Sequence, residues 1–207
     1  MTATNQPEIQ PGARKSTRRI RTEGRKQQVG RSGWLEAARN ALIRDGIAGV
    51  EIGKLARQLK VTRGGFYWFF SSRQQLLNEL LAEWELKNTA AFESVLKSSP
   101  HNGLAEFNAI VDVWVSEERY SPAWDAAVRD WARISPKVAS VVRRTDERRI
   151  AILHQIFLDM GSVGDEAIVR ARICYFHQVG YYLLGLGESR RERLRLLPTY
   201  IRLLTGK

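Results

Sequence analysis

The segment VTRGGFYWFFSSR, residues 61–73, sets Arg63 beside Gly64 and Gly65 and follows them with five aromatic side chains, Phe66 to Phe70. These residue types suit recognition. A guanidinium offers paired donors that match the edge of guanine, and a phenol or indole can give one hydrogen bond to phosphate while packing on sugar. At 100° per residue, a short helix over 63–70 puts Phe66, Phe69 and Phe70 on one face and Arg63, Gly64, Tyr67 and Trp68 on the other. The first face has a core to enter. The second presents rings beside a cation, which calls for a partner surface. Glycine lowers the steric wall there, at a helix-propensity cost of ~1 kcal/mol. Something bulky and anionic is expected against this face. The other reading, an overfilled core, leaves Tyr67 and Trp68 unexplained.

The residues upstream must hold this face in place. A first helix is expected over about 32–44, with Trp34, Leu35, Ala38, Ala41 and Leu42 in phase and Asp45-Gly46 ending it. A short helix follows over about 51–59. Ile52, Leu55, Leu59, Val61, Phe66 and Phe69, with the small Ala56 among them, have the spacing of two short helices crossed over a tight turn. That is a helix-turn-helix, whose second helix enters the DNA major groove. Thr62 stands at the N-cap, where free N–H groups and the positive dipole end favour phosphate. Arg63 is assigned to a base edge, Tyr67 and Trp68 to phosphate and sugar, and Arg73 to a further phosphate. Gly64 and Gly65 permit the approach, and Lys54 and Arg57 on the first motif helix are secondary candidates.

Beyond the motif the chain reads helix after helix, with no stretch of period-2 alternation long enough for a strand. Ser72 with Gln75 is a capping-box signature. It opens a long helix over 72–97 whose apolar face is Leu76, Leu77, Leu80, Leu81, Trp84, Phe92 and Val95. SSPHNG (98–103) is the clearest break. Helices are then expected over 103–118, with Leu104, Phe107, Val111 and Trp114 in phase, and from Ser121-Pro122 and Ser135-Pro136, each an N-cap followed by the proline favoured at the first helical position. A very apolar helix covers 164–186, and a last one is capped by Ser189 and Glu192, with a kink or break at Pro198. The fold class is all-α.

The chain has 207 residues, 43% of them hydrophobic and 27% charged, and a formal charge of +11. More than half of that excess lies in residues 1–31, where Arg14, Lys15, Arg18, Arg19, Arg21, Arg25, Lys26 and Arg31 outweigh Glu8 and Glu23 for a net +6. Residues 1–28 have almost nothing to bury and read as a disordered basic arm, either solubilising or suited to a polyanion. No apolar region follows the charges as in a secretory signal. The longest apolar run, residues 173–187, is short of the ~20 needed to span a bilayer. The single cysteine, Cys174, allows no intramolecular disulfide and fits a reducing cytoplasm. An enzyme is disfavoured: Cys174 lies among apolar neighbours, His101, His154 and His177 have no metal-ligand spacing, and no phosphate loop or nucleophile elbow is present. No metal or cofactor is expected.

Residues 31–80 resemble the tetracycline-repressor-like (TetR) family of bacterial transcription regulators. The resemblance rests on Gly46 after the first helix, the Leu55-Ala56 step, the Val61-Thr62 turn, Gly64 to Tyr67, Phe70, and Ser72-Arg73. Two positions depart from the pattern: Lys60 stands where glycine is usual and would carry modest strain, and Glu51 stands where Thr or Ser often opens the second helix. The resemblance implies a DNA-binding domain over 29–80 and a helical ligand-binding and dimerisation domain over 81–207, its last two helices pairing with those of a second subunit. It implies a regulator, most plainly a repressor, that meets a palindromic operator as a dimer and responds to a small molecule.

The C-terminal residues leave choices open. Ile173, Phe176, Val179, Gly180 and Leu183, with Leu197 and Leu204 on the last helix, are candidates for the dimer interface, although burial within one subunit is the alternative. Trp114, Trp124 and Trp131 serve a pocket or a core, and Asn108 and Asp112 a pocket or a solvent stripe. Asp125 and Arg129 read as an i, i+4 ion pair on a helix surface. A sequence-indifferent architectural DNA binder driven by the basic arm is the competing function; it predicts a steep salt dependence and little sequence discrimination.

Overall fold

In the computed structural model the described residues are 1–2, 29–98 and 101–206, so the basic arm, apart from its first two residues, lies outside them. Eight α-helices follow in order: α1 (Arg31–Asp45), α2 (Ile52–Gln58), α3 (Arg73–Ser98), α4 (Gly103–Ser116), α5 (Pro122–Ala132), α6 (Pro136–Asp159), α7 (Asp165–Leu184) and α8 (Arg190–Thr205). No strand occurs among the described residues, and no helix among them is long and apolar enough to cross a membrane. Two 3-10 segments, Ile47–Gly49 and Arg63–Trp68, bracket α2.

Two apolar cores hold these helices. The first joins α1, α2 and the front half of α3, and it also takes Trp124, Val128 and Trp131 from α5 and Val138 and Val142 from α6. The second joins the back half of α3 with α4, α6 and α7. The single helix α3 contributes to both, through Leu76 to Trp84 at one end and Ala91 to Val95 at the other. α6 packs against α3, α4, α5 and α7, while α8 rests on α7 and α4.

The helix starts follow their side chains. Ser121, Ser135 and Ser189 accept from the backbone N–H groups of Trp124, Val138 and Glu192, and prolines stand just inside α5 and α6. At α3 the Ser72 hydroxyl accepts from Gln75 N at 3.1 Å. The returning bond lands one residue early, since the Gln75 side chain accepts from Ser71 N at 2.7 Å. α8 runs unbroken through Pro198, so of the expected kink or break the break does not occur. The lost N–H bond falls on an exposed face, where water can satisfy the Leu194 carbonyl.

Lys60, between α2 and the second 3-10 segment, has φ 56°, the left-handed conformation in which a Cβ is strained. Lys60→Gly is expected to stabilise the fold by about 0.5–1 kcal/mol, the relief of strain exceeding the entropy glycine adds to the unfolded chain. Urea titration at neutral pH checks this, with an unchanged or lower midpoint counting against it.

Candidate nucleic-acid interface

The aromatic run divides as its spacing predicts, but on a tighter element. Residues 63–68 form a 3-10 helix, and Phe66 is its anchor, fully buried and edge-on to Trp34 of α1 at 5.3 Å between centroids. Phe70 stacks on Phe66 at 5.2 Å, and the Arg31 guanidinium lies 4.5 Å over the Phe70 ring. Arg31 also donates to the Phe69 carbonyl and to Glu79, so it braces the motif where the sequence counts it with the arm. With these rings fixed inward, Tyr67 and Trp68 point outward at 52% and 88% exposure beside exposed Arg63 and Gly64. Gly65 is half-buried behind them. The element thus presents a cation, a phenol and an indole on a small rigid platform.

The other motif residues divide between binding and support. Arg73 is a support: its Nε donates to the Val50 carbonyl at 2.6 Å and its Nη2 to the Ile47 carbonyl at 2.8 Å. The expected phosphate contact is corrected to a clamp that ties α3 to the turn before α2. Thr62 has extended backbone at the N-cap position, but its side chain makes no capping hydrogen bond, so the cap expected there is backbone only. Lys54 pairs with Glu51 at 2.7 Å across the start of α2, and that neighbouring charge holds the Glu51 carboxyl below its usual range. Arg57 is exposed on the same helix. A built Cβ at Gly64 meets nothing nearer than the Thr62 hydroxyl at 3.8 Å, so nothing within the chain demands glycine there.

This platform matches a known sequence pattern: residues 35–80 fit the family described as bacterial regulatory proteins, tetR family. The match runs from within α1, through α2 and the platform, into the start of α3. No curated protein matches it in sequence. Among solved structures, the chain is similar to a transcriptional regulator from Rhodococcus sp. Rha1 at 20% identity and TM-score 0.61, covering 85% of this chain and 91% of that one. It is similar to the ketosteroid transcriptional regulator KstR2 of Mycobacterium tuberculosis at 14% identity and TM-score 0.62, over 85% and 93% of the chains. It is also similar to reduced NemR of E. coli at 18% identity and TM-score 0.58, over 75% and 86%. At these identities the likeness carries the all-α fold.

The C-terminal half of the chain departs from the sequence reading in several places. Trp124 and Trp131 fill the first core against α1, and Asn108 and Asp112 face solvent, so none of the four lines the cavity between α4, α7 and α8. Trp114 does, and this apolar cavity measures about 50 Å³. Leu197 and Leu204, the dimer-face candidates on α8, line the same cavity within one subunit. Ile173, Phe176 and Leu183 lie exposed on one stripe of α7 with Val169, and Gly180 within that stripe has open space over it. Val179 is half-buried against the second core.

Asp125 and Arg129 are not a surface pair. Asp125 is buried and bonds Arg129 at 2.7 Å and Arg149 at 2.9 Å. Arg129 also holds Asp146 at 2.6 and 2.9 Å, and the Tyr175 hydroxyl donates to Asp146 at 2.6 Å. Burial alone would raise the Asp125 carboxyl, but the charges of Arg149 and Arg129 overcome it and hold the group below the usual carboxylate range. Arg149 is enclosed where the two cores meet, with Trp84, Phe92 and Tyr120 rings 5.3–5.7 Å away and the Asn88 carbonyl at 3.3 Å. The sequence holds a signal for this. Val138, Val142, Thr145, Arg149, Ile152 and Ile156 recur at helical spacing, so Arg149 stands on the buried stripe of α6. Gln178 is revealed the same way, in phase with Ala167, Ala171 and Cys174 on α7.

Proposed function

We propose that this chain is a TetR-type homodimeric repressor that reads a palindromic DNA operator and releases it when a small molecule enters the helical half. The carrying observation is the outward pair Tyr67 and Trp68 beside Arg63, on an element pinned by Phe66. Arg63 reads a base edge, and Tyr67 and Trp68 grip phosphate and sugar, with Thr62, Lys54 and Arg57 at the margins. Residues 29–80 are the reading head and 81–207 the ligand-binding and dimerising part, acting in the cytoplasm. The exposed stripe Val169, Ile173, Phe176, Gly180 and Leu183 supports a dimer in which α7 and α8 pair with their copies. Two heads so joined must meet major grooves about 34–36 Å apart, or a multiple. The cavity between α4, α7 and α8 is the effector site.

The test is in-vitro selection of genomic fragments by the purified full chain at near-physiological salt. One short palindrome is expected. Binding with no motif, which collapses as salt rises, would instead favour the architectural reading. On the selected site, Arg63→Ala is expected to cost ~1–3 kcal/mol and relax preference at one base pair. Band-shift titration on single-base variants checks this; an equal loss on every sequence would remove Arg63 from base reading.

A further inference from the structure

The cavity between α4, α7 and α8 has a definite chemistry. Its walls are rings and branched aliphatics: Phe107, Val111, Trp114, Tyr200 and Ile201. Four polar side chains, His177, Gln178, Glu188 and Arg193, interrupt them, and Gln178 is the one left without a partner. Gln178 is only 8% exposed, it lines the cavity, and its side-chain Nε2 has no acceptor in the chain. A buried donor without a partner is costly, so the site is complete only when a hydrogen-bond acceptor arrives.

The charges nearby are already used. Arg193 donates to Glu117 at 3.2 Å and to the Tyr182 hydroxyl at 3.1 Å, and its guanidinium covers the Tyr181 ring at 4.5 Å. It therefore offers neither a free cation to an acid nor a free ring face to an amine. Burial first, and then the charge of Arg193, lower the pKa of His177, which stays neutral at pH 7. Glu188 at the rim repels anions.

Size adds a second condition. A cavity of about 50 Å³ is too small for a ring, since a cavity that admits benzene measures ~150 Å³. Entry must part α8 from α4. α8 is held there by the Arg193 clasp and by Arg170, which donates to the Leu204 carbonyl near its end. Pro198, mid-helix, removes one of its internal hydrogen bonds.

We propose that this cavity takes a neutral, mainly apolar ring compound carrying one hydrogen-bond acceptor, such as a carbonyl, received by Gln178, and that its entry lifts α8. The inference rests on the regulatory reading above, since α8 belongs to the pairing helices.

Four probes of one shape test it by calorimetry on the full-length protein: acetophenone, ethylbenzene, benzoate and 1-phenylethylammonium. Acetophenone is expected to bind roughly tenfold tighter than ethylbenzene, the worth of one buried neutral hydrogen bond, and tighter than both ions. Gln178→Leu is expected to bring acetophenone and ethylbenzene within about twofold of each other. Val111→Trp, which fills the cavity, is expected to abolish binding of both while leaving the far-ultraviolet dichroism unchanged. Amide exchange over residues 190–205 is expected to quicken with acetophenone bound. Equal binding of acetophenone and ethylbenzene, preference for either ion, no binding at all, or unchanged exchange would each overturn the proposal. If acetophenone binds as stated yet leaves affinity for the selected palindrome unmoved, the ligand class stands and ligand-driven release falls.

Discussion

Asp125→Ala is expected to destabilise the fold by ~3–5 kcal/mol, because it removes the carboxylate that compensates a fully enclosed cation. Arg129 survives the change, since Asp146 still holds it through two bonds. Arg149 does not. It keeps the Tyr175 hydroxyl at 3.4 Å and the Asn88 carbonyl at 3.3 Å, and neither carries a charge. In a chain of this size the loss corresponds to a fall of about 10 °C in Tm. Removing both partners, in Asp125→Ala with Arg149→Met, is expected to cost less than Asp125→Ala alone, because no uncompensated charge is left. Calorimetric melting of the three proteins checks this; a single variant as stable as the parent would mean that the pair does not hold the cores together. The same carboxyl sets an acid limit. Its folded-state pKa lies below the unfolded value, so its stabilisation is complete above about pH 4 and is lost as pH falls towards the lowered value. The Asp125→Ala melting temperature should consequently depend less on pH between about 4 and 2 than the parent's.

Gly64→Leu is expected to leave folding intact and to reduce affinity for the selected palindrome about a hundredfold, equivalent to ~2.7 kcal/mol. The backbone at Gly64 is not in the left-handed region, and a Cβ there meets only ordinary van der Waals contact. Helix propensity alone would favour leucine by a few tenths of a kcal/mol or more. Any penalty must then come from outside the chain, from a surface that approaches the backbone between Arg63 and Tyr67. Thermal melting and band-shift titration of the same preparation separate the two effects. Parent-like DNA binding would mean that this face is not the interface.

How much of this was legible in the sequence depended on whether the deciding partners were local. Phe66 inward and Tyr67 and Trp68 outward followed from angular spacing within one turn, which needs no knowledge of the rest of the chain. The left-handed turn at Lys60 was legible as a departure from a pattern that has glycine there. Arg73 was misread because its partners, the Val50 and Ile47 carbonyls, lie more than twenty positions away. Asp125 and Arg129 were misread for the same reason. At i and i+4 they look like a surface pair, and only Arg149, Asp146 and Tyr175 from other helices make them interior. That Leu197 and Leu204 line a cavity within the subunit was not legible, since an apolar helix resting on two neighbours does not announce which face each will cover. Pro198 signals a kink or break, yet on an exposed face, where water can take up the freed carbonyl, the helix continues through it.

The 26 residues of α3 make one rod about 39 Å long, rooted in both cores. A rod converts angle into distance. Pivoting by about 5° near Phe92 carries the Arg73 end, and the Tyr67–Trp68 platform clamped beside it, through roughly 2.5 Å. In a pair of such heads the two displacements add or cancel according to the twofold axis, so a deflection too small to disturb either core is enough to throw the heads out of step with the pitch of the double helix.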